Sequence, residues 1–169
     1  RDADFIGSIE IDPRTCQKEH LEVLAEHQFK RVSLGIQDFD PEVQKAIHRF
    51  QSPEQIAELV KNIRQYNIES INFDLIYGLP KQTVQSIETT MNIVNQIKPD
   101  LISFYSYAHL PDKIKNQKLI SEKDLPSVEE KYLLFSTGAK ILCQNGYEHI
   151  GMDHFALPDN YLYKAKMQN

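Results

Sequence analysis

Apolar positions along the chain switch between two periods, and the switch points divide it into alternating strands and helices. Residues 5–11 (FIGSIEI), 31–37 (RVSLGIQ), 70–78 (SINFDLIYG) and 101–108 (LISFYSYA) are short and rich in β-branched or aliphatic residues, as strands are. Between them apolar residues recur at helical steps. Residues 15–28 form one such stretch, Ile56, Leu59, Val60 and Ile63 line one face of another, and Val84, Ile87, Met91 and Val94 continue the pattern up to Pro99. A last helix is expected to bury Val128, Tyr132, Phe135, Ala139 and Leu142 and to stop at Gly146. The punctuation agrees. Asp40-Pro41 and Ser52-Pro53 each set an N-cap before a proline at the first helical position, and Ser52 with Gln55 and Ser127 with Glu130 read as capping boxes.

Strand, helix, strand at this spacing implies right-handed crossovers and a parallel sheet. The expected fold class is therefore α/β: part of a β/α barrel, with about four parallel strands, outer helices and an open side. Neither linkers nor repeats interrupt it, so residues 1–169 are expected to form a single partial domain. Residues 1–111 would be its barrel part and residues 112–169 the start of an extension. An open barrel leaves strand edges and inner faces uncovered, which favours self-association.

Composition narrows the partners. With 169 residues, 41% of them hydrophobic and 25% charged, the chain has the make-up of one globular domain. Its net charge of -5 and pI near 5.7 argue against nucleic acid or an anionic membrane as the main partner. No apolar run approaches the roughly 18 residues of a membrane span, and a cytoplasmic protein is expected. Cys16 and Cys143 are far apart and form no CxxC pair, so each is expected to be a plain thiol on a helix face rather than a metal ligand.

Asp74 is the residue that asks for chemistry, because it places a carboxylate inside an otherwise apolar strand that ends in a Gly-Pro turn. Desolvating an unpaired carboxylate costs several kcal/mol, so it needs a structural hydrogen-bond partner, a cation or a polar ligand. Glu10 and Gln37 likewise sit in the C-terminal halves of their strands and share the parity of inward positions. Side chains at that end of a β/α barrel build the ligand site, although strand ends near water also tolerate polar residues. Arg49, just after the helix expected over residues 40–48, is either a surface residue or a partner for those carboxylates. His149 and His154 flank Asp153 at a spacing that suits neither a helix face nor a zinc pattern, and His154 is expected to hydrogen-bond locally or near a substrate. Tyr105 and Tyr107 suit either ligand stacking or the core, with the core favoured. Lys113, Lys115, Lys118 and Lys123 read as solvated surface.

Five segments, IEIDPR (9–14), SLGIQDF (33–39), FDLIYGLPKQT (73–83), YAHLP (107–111) and GMDHFALP (151–158), together resemble the oxygen-independent coproporphyrinogen III oxidases, which are radical S-adenosylmethionine enzymes. The resemblance runs from about Gly7 to about Leu162. It implies that Glu10 contacts the S-adenosylmethionine bound at a four-iron four-sulfur cluster, and that Gln37, Arg49, Asp74 and the backbone of Ala108 contact a second S-adenosylmethionine. It also implies a reaction. The cluster reductively cleaves S-adenosylmethionine, and the resulting 5′-deoxyadenosyl radical takes hydrogen from a propionate of coproporphyrinogen III. Loss of carbon dioxide and one electron leaves a vinyl group, and two such events give protoporphyrinogen IX in haem synthesis, with an electron donor as a further partner. No catalytic residue follows from the resemblance alone.

The chain departs from that family in one respect. The CxxxCxxC loop that holds the cluster and a GGGTP-like glycine segment are both absent, and the chain begins at Arg1 just before what would be the third barrel strand. An excised piece of a longer enzyme is expected, one that alone holds no cluster and turns over no substrate. Two alternatives remain: a haem-carrying relative within the radical SAM family, against which GMDHFA and YAHLP speak, and an unrelated barrel enzyme.

Overall fold

A computed structural model describes residues 6–168. Four parallel strands alternate with helices: β1 (Gly7–Ile11), α1 (Lys18–Glu26), β2 (Phe29–Gln37), α2 (Pro41–Ala46), α3 (Pro53–Gln65), β3 (Ser70–Tyr77), α4 (Val84–Ile97) and β4 (Leu101–Ser106). Phe5, the first residue of the expected opening strand, lies outside the described residues. Two short 3-10 turns, Lys115–Leu119 and Glu122–Asp124, lead into α5 (Val128–Gln144). A hairpin of β5 (Glu148–Gly151) and β6 (His154–Ala156) follows, and then α6 (Tyr161–Met167). The hairpin joins the sheet, with β6 antiparallel to β4, so the order is β1-β2-β3-β4-β6-β5. The parallel strands are those expected; the two antiparallel ones were not, because GMDHFA is too short to show a period.

The pleat sorts the sheet into two chemically opposite faces. Val32, Leu34, Ile36, Ile71, Phe73, Leu75, Ile102, Phe104 and Phe155 point to one face and are buried under the helices. Register puts Glu10, Ser33, Asn72, Asp74, Ser103 and His154 on the other face. Core and site are thus opposite sides of one sheet.

The N-caps form where the sequence places them. Asp40 Oδ1 accepts from the Glu42 and Val43 amides at 2.9 and 3.1 Å, and Ser52 and Ser127 exchange reciprocal bonds with Gln55 and Glu130. Three expectations need correction. The helix expected from residue 15 starts at Lys18, so Cys16 lies in the loop before α1 rather than on a helix face. The helix expected over residues 40–48 ends at Ala46, where His48 adopts a left-handed backbone (φ 54). In α5, Val128 and Tyr132 are 79% and 71% exposed, and the buried line is Leu134, Gly138 and Leu142. The helix meets the sheet at a glycine, where a Cβ would lie 2.7 Å from Phe104 Cε1 and 2.9 Å from Met91 Cε, with Phe135 stacked on the Phe104 ring beside it.

A buried carboxylate ties the strand ends together. Asp38, just past β2, is fully buried and accepts from the Asp40 amide (2.6 Å), the Thr90 hydroxyl (2.8 Å) and Gln82 Nε2 (2.6 Å). Gln82 also donates to the Ile76 carbonyl at 2.7 Å and accepts from the Leu79 amide at 2.9 Å, fixing the turn after β3. At the opposite end of the sheet Arg31 stacks 3.5 Å over the Tyr161 ring, and Asn160 donates to Ser70 Oγ, which seats α6 there.

Gly138→Ala should lower stability by about 1–3 kcal/mol, since Phe104 and Met91 are both buried and must move. An unchanged urea midpoint would show that α5 does not rest on this point.

Candidate functional site

Asp74 anchors a polar network on the open face. The Ser33 hydroxyl donates to Asp74 Oδ2, Asn72 Nδ2 donates to Asp74 Oδ1 at 2.9 Å and to Ser33 Oγ at 2.7 Å, and Ser103 donates to Asn72 Oδ1 at 3.2 Å. Burial raises the Asp74 pKa above the usual carboxylate range; the Ser33 and Asn72 donors oppose that shift and the Glu10 charge adds to it. Among the described residues no cationic side chain forms an ion pair with Asp74. A half-buried carboxylate held only by neutral donors favours a cationic or hydroxyl-bearing ligand. Glu10 is exposed on the same face, opposite Ser33 in the register.

Gln37 reaches that face by an unexpected route. The β2–β3 register slips between Gly35 and Gln37, so Gln37 pairs with Leu75 and takes a left-handed backbone (φ 68). Alternation gives it the right face, and the bulge sets how its side chain is aimed. Its amide folds back over Gly35, where a Cβ would lie 2.9 Å from Gln37 Nε2 and 3.0 Å from Arg49 Nη2. The missing side chain is the space both groups occupy.

Arg49 arrives through the end of α2. With His48 left-handed, the Arg49 amide bonds back to the Gln44 carbonyl at 2.9 Å, the six-to-one bond of a Schellman turn. The chain thereby turns over β2, and Arg49 Nη2 donates to the Gly35 carbonyl at 2.9 Å. Arg49 Nη2 also lies 3.4 Å from Asp12 Oδ1, and Asp12 is gripped by Arg14 through Nε at 3.0 Å and Nη2 at 2.7 Å. The Arg14 hydrogen bonds, reinforced by the Arg49 charge, pull the Asp12 pKa down to about 2. Arg49 Nε is buried and has no acceptor among the described residues.

A groove of about 600 Å³ opens beside this cluster, with Arg14, Gln37 and Arg49 on one side and Leu79, Tyr107 and Gln117 on the other. Gln117 holds the rim by donating to the Ala108 carbonyl at 3.0 Å and accepting from the Leu110 amide. Gln37 and Arg49 therefore line the groove itself. Ala108 sits at its rim, and Glu10 and Asp74 lie on the sheet face outside its lining.

Other candidates part company. Tyr105 is exposed and Tyr107 half-buried, so neither belongs to the core; the Tyr107 hydroxyl meets His109 Nδ1 at 3.2 Å. His154 contacts the Tyr105 ring edge-on at 5.9 Å, whereas His149 stacks on Phe155 on the helix-covered side, so the two histidines do not converge. Lys113, Lys115, Lys118 and Lys123 are exposed. Asp12 and Arg14 were not singled out in the sequence, although IEIDPR contains both. Their signal was a charged pair directly after a strand. Ser33, Asn72 and Ser103 were legible as polar residues sharing the parity of Asp74.

An open β/α sheet with a polar mouth at its C-terminal strand ends is the architecture of partial-barrel enzymes that bind small polar cofactors. The radical SAM superfamily pattern matches residues 4–94, more than half the chain, and the chain belongs to that superfamily. It is 48% identical over 158 residues to the oxygen-independent coproporphyrinogen III oxidase of Pseudomonas aeruginosa, covering 94% of this chain and 34% of that protein. For the Escherichia coli K12 oxidase the figures are 43% over 166 residues, 98% and 36%. The solved structure of the Escherichia coli coproporphyrinogen III oxidase, described as a radical SAM enzyme, superposes with a TM-score of 0.94 at 42% identity, over 99% of this chain and 38% of that one. Archaeal Elp3 from Methanocaldococcus infernus shares the fold at a TM-score of 0.64 and 18% identity, over 78% of this chain and 32% of that one. The chain spans about a third of the length of the curated relatives it matches.

The superfamily implies S-adenosylmethionine and a four-iron four-sulfur cluster, and the residues suit them unequally. The Asp74 carboxylate without a cation and the Arg49 Nε without an acceptor fit a zwitterionic sulfonium ligand. Among the described residues no group of three or more His, Cys, Asp or Glu side chains is arranged to hold a metal; Cys16 lies in the loop before α1 and Cys143 in α5. These residues alone supply no ligand set for a cluster. No helix among them is long and apolar enough to cross a membrane.

The charged cluster has a pH signature. Because the folded pKa of Asp12 is depressed, its contribution to stability is complete above its ordinary value near 4 and is lost as pH falls through about 2. Asp74 and Asp38, both raised, act in the opposite sense, their contributions fading as pH rises through their folded values. Asp12→Asn should flatten the acid limb of the unfolding midpoint between about pH 4 and pH 2. An acid limb identical to that of the unsubstituted chain would rule out the pairing in solution.

Proposed function

We propose that these residues form part of the S-adenosylmethionine-binding barrel of an oxygen-independent coproporphyrinogen III oxidase. It would act in the cytoplasm on coproporphyrinogen III, with electrons from a separate donor. The observation carrying this reading is the 48% identity to the Pseudomonas aeruginosa oxidase across 94% of the chain. The overall reaction converts two propionates to vinyl groups, each losing a hydrogen atom, carbon dioxide and one electron, to give protoporphyrinogen IX.

Each residue has a role suited to its chemistry. Arg49 receives the methionyl carboxylate with the N–H groups that the Gly35 carbonyl leaves free. Asp74 accepts from an ammonium or ribose hydroxyl, and its raised pKa falls as a cation approaches. Gln37 both donates and accepts, which suits a ligand with mixed polarity. The backbone at Ala108 forms the rim, and Glu10 contacts the S-adenosylmethionine bound at the cluster. When bound and given one electron by the separate donor, S-adenosylmethionine would break its C5′–S bond to leave methionine and supply a carbon radical able to take hydrogen from an unactivated C–H bond.

The test is an anaerobic assay of the natural polypeptide carrying this sequence, with coproporphyrinogen III, S-adenosylmethionine and a reductant. Protoporphyrinogen IX and 5′-deoxyadenosine should both accumulate; haem binding without either product would replace the oxidase with a carrier. In the same polypeptide Asp74→Asn should weaken S-adenosylmethionine binding about tenfold and leave iron content unchanged. Equal loss of both would make Asp74 a folding residue.

A further inference from the structure

The groove has more positive charge at one end than Arg49 supplies. Arg14 uses Nε and Nη2 on Asp12, and the structure gives its Nη1 no protein partner among the described residues. Asp12 touches both guanidiniums, at 2.7 Å from Arg14 and 3.4 Å from Arg49, so it keeps two like charges side by side while cancelling one. The trio retains a net positive charge beside a 600 Å³ space that both arginines line. Arg49 adds a buried N–H with no acceptor, a group that costs about 1–3 kcal/mol until an acceptor reaches it. The rest of the lining is largely apolar, with Ile76, Leu79, Leu119 and Ile120.

We propose that Arg14 is a binding residue of this groove, supplying with Arg49 a two-guanidinium seat for the carboxylate of a ligand whose less polar part lies toward Leu79 and Ile120. The inference rests on the S-adenosylmethionine reading above and gives the ligand a direction. The amino-acid carboxylate sits at the Arg14–Arg49 end, and the rest of the molecule extends along the groove toward Tyr107. Asp12 makes the seat selective as well as attractive, because its charge leaves room for one carboxylate and not for a phosphate chain.

The test compares two ligands that differ only in that carboxylate: S-adenosylmethionine and its decarboxylated analogue. Equilibrium dialysis on the cluster-loaded natural polypeptide counts equivalents bound, and circular dichroism verifies folding of each variant. Arg14→Gln should weaken the second equivalent of S-adenosylmethionine about tenfold and leave the analogue within about twofold, with Arg14→Lys in between. If Arg14→Gln weakens both ligands equally or neither, the Arg14 assignment fails while the binding reading stands. Uptake of only one equivalent by the unsubstituted protein would overturn the groove as an S-adenosylmethionine site and the Arg14 assignment with it.

Discussion

The mouth of the sheet depends on a carboxylate with no cation beside it. Asp38 is fully buried, and an ionised carboxylate there costs several kcal/mol unless donors replace its water. Three do, and they come from different parts of the chain: the Asp40 amide at the start of α2, Thr90 in the middle of α4, and Gln82 in the turn after β3. The end of β2 cannot move without unpairing one of them. Gln44 extends the same brace by donating to the Asp38 and Gln51 carbonyls, while Gln51 donates to the Ile36 carbonyl. This rigid frame holds the bulge at Gln37 and the turn at His48, two left-handed non-glycine residues that each cost on the order of 1 kcal/mol. Strain of that size persists only where the surroundings over-determine it.

Those two strained positions deliver the side chains of the groove. A regular β2 would put Gln37 on the open face with Ser33 and Gly35 but without the turned-back backbone, and a longer α2 would carry Arg49 past the strand. The bulge and the Schellman turn bring both side chains to Gly35, whose missing Cβ is as much a part of the site as the groups that fill its place. Electrostatics then divides the site in two. Asp12, Arg14 and Arg49 carry a net positive charge beside the groove, and Asp74 with Glu10 a negative one on the sheet face outside it.

Much of this was legible in the sequence, for reasons that differ by element. The four parallel strands and the caps at Asp40, Ser52 and Ser127 announce themselves through period and punctuation, and Asp74 stands out as a charge in an apolar run. Arg49 could be named but not placed, because the residue that turns it inward is a left-handed histidine where a glycine would have signalled the turn. In α5 the stripe was right at Leu142, Phe135 and Ala139 and wrong at Val128 and Tyr132, which are exposed, while Gly138, which contributes nothing to an apolar stripe, makes the closest approach. The β5–β6 hairpin was missed because strands of four and three residues carry too few alternations to count. Asp38 and Gln82 were visible as letters, but their partnership spans 44 residues and exists only in the folded chain.

The seat of α5 also bears on how such a groove can diversify. Gly138 presses the middle of the helix on Phe104 and Met91, and Lys131 fixes its first turn by lying over Gly78 and donating to the Tyr107 carbonyl at 3.0 Å. Between β4 and α5 the chain crosses the groove in two short 3-10 turns that bury none of their residues. Insertions and deletions there leave both anchors in place, so the outer wall can be lengthened, shortened or rewritten over evolutionary time while the floor that holds Arg49 and Gln37 keeps its shape. Within this segment, the wall beside the groove and the contacts that seat the helix belong to different stretches of chain.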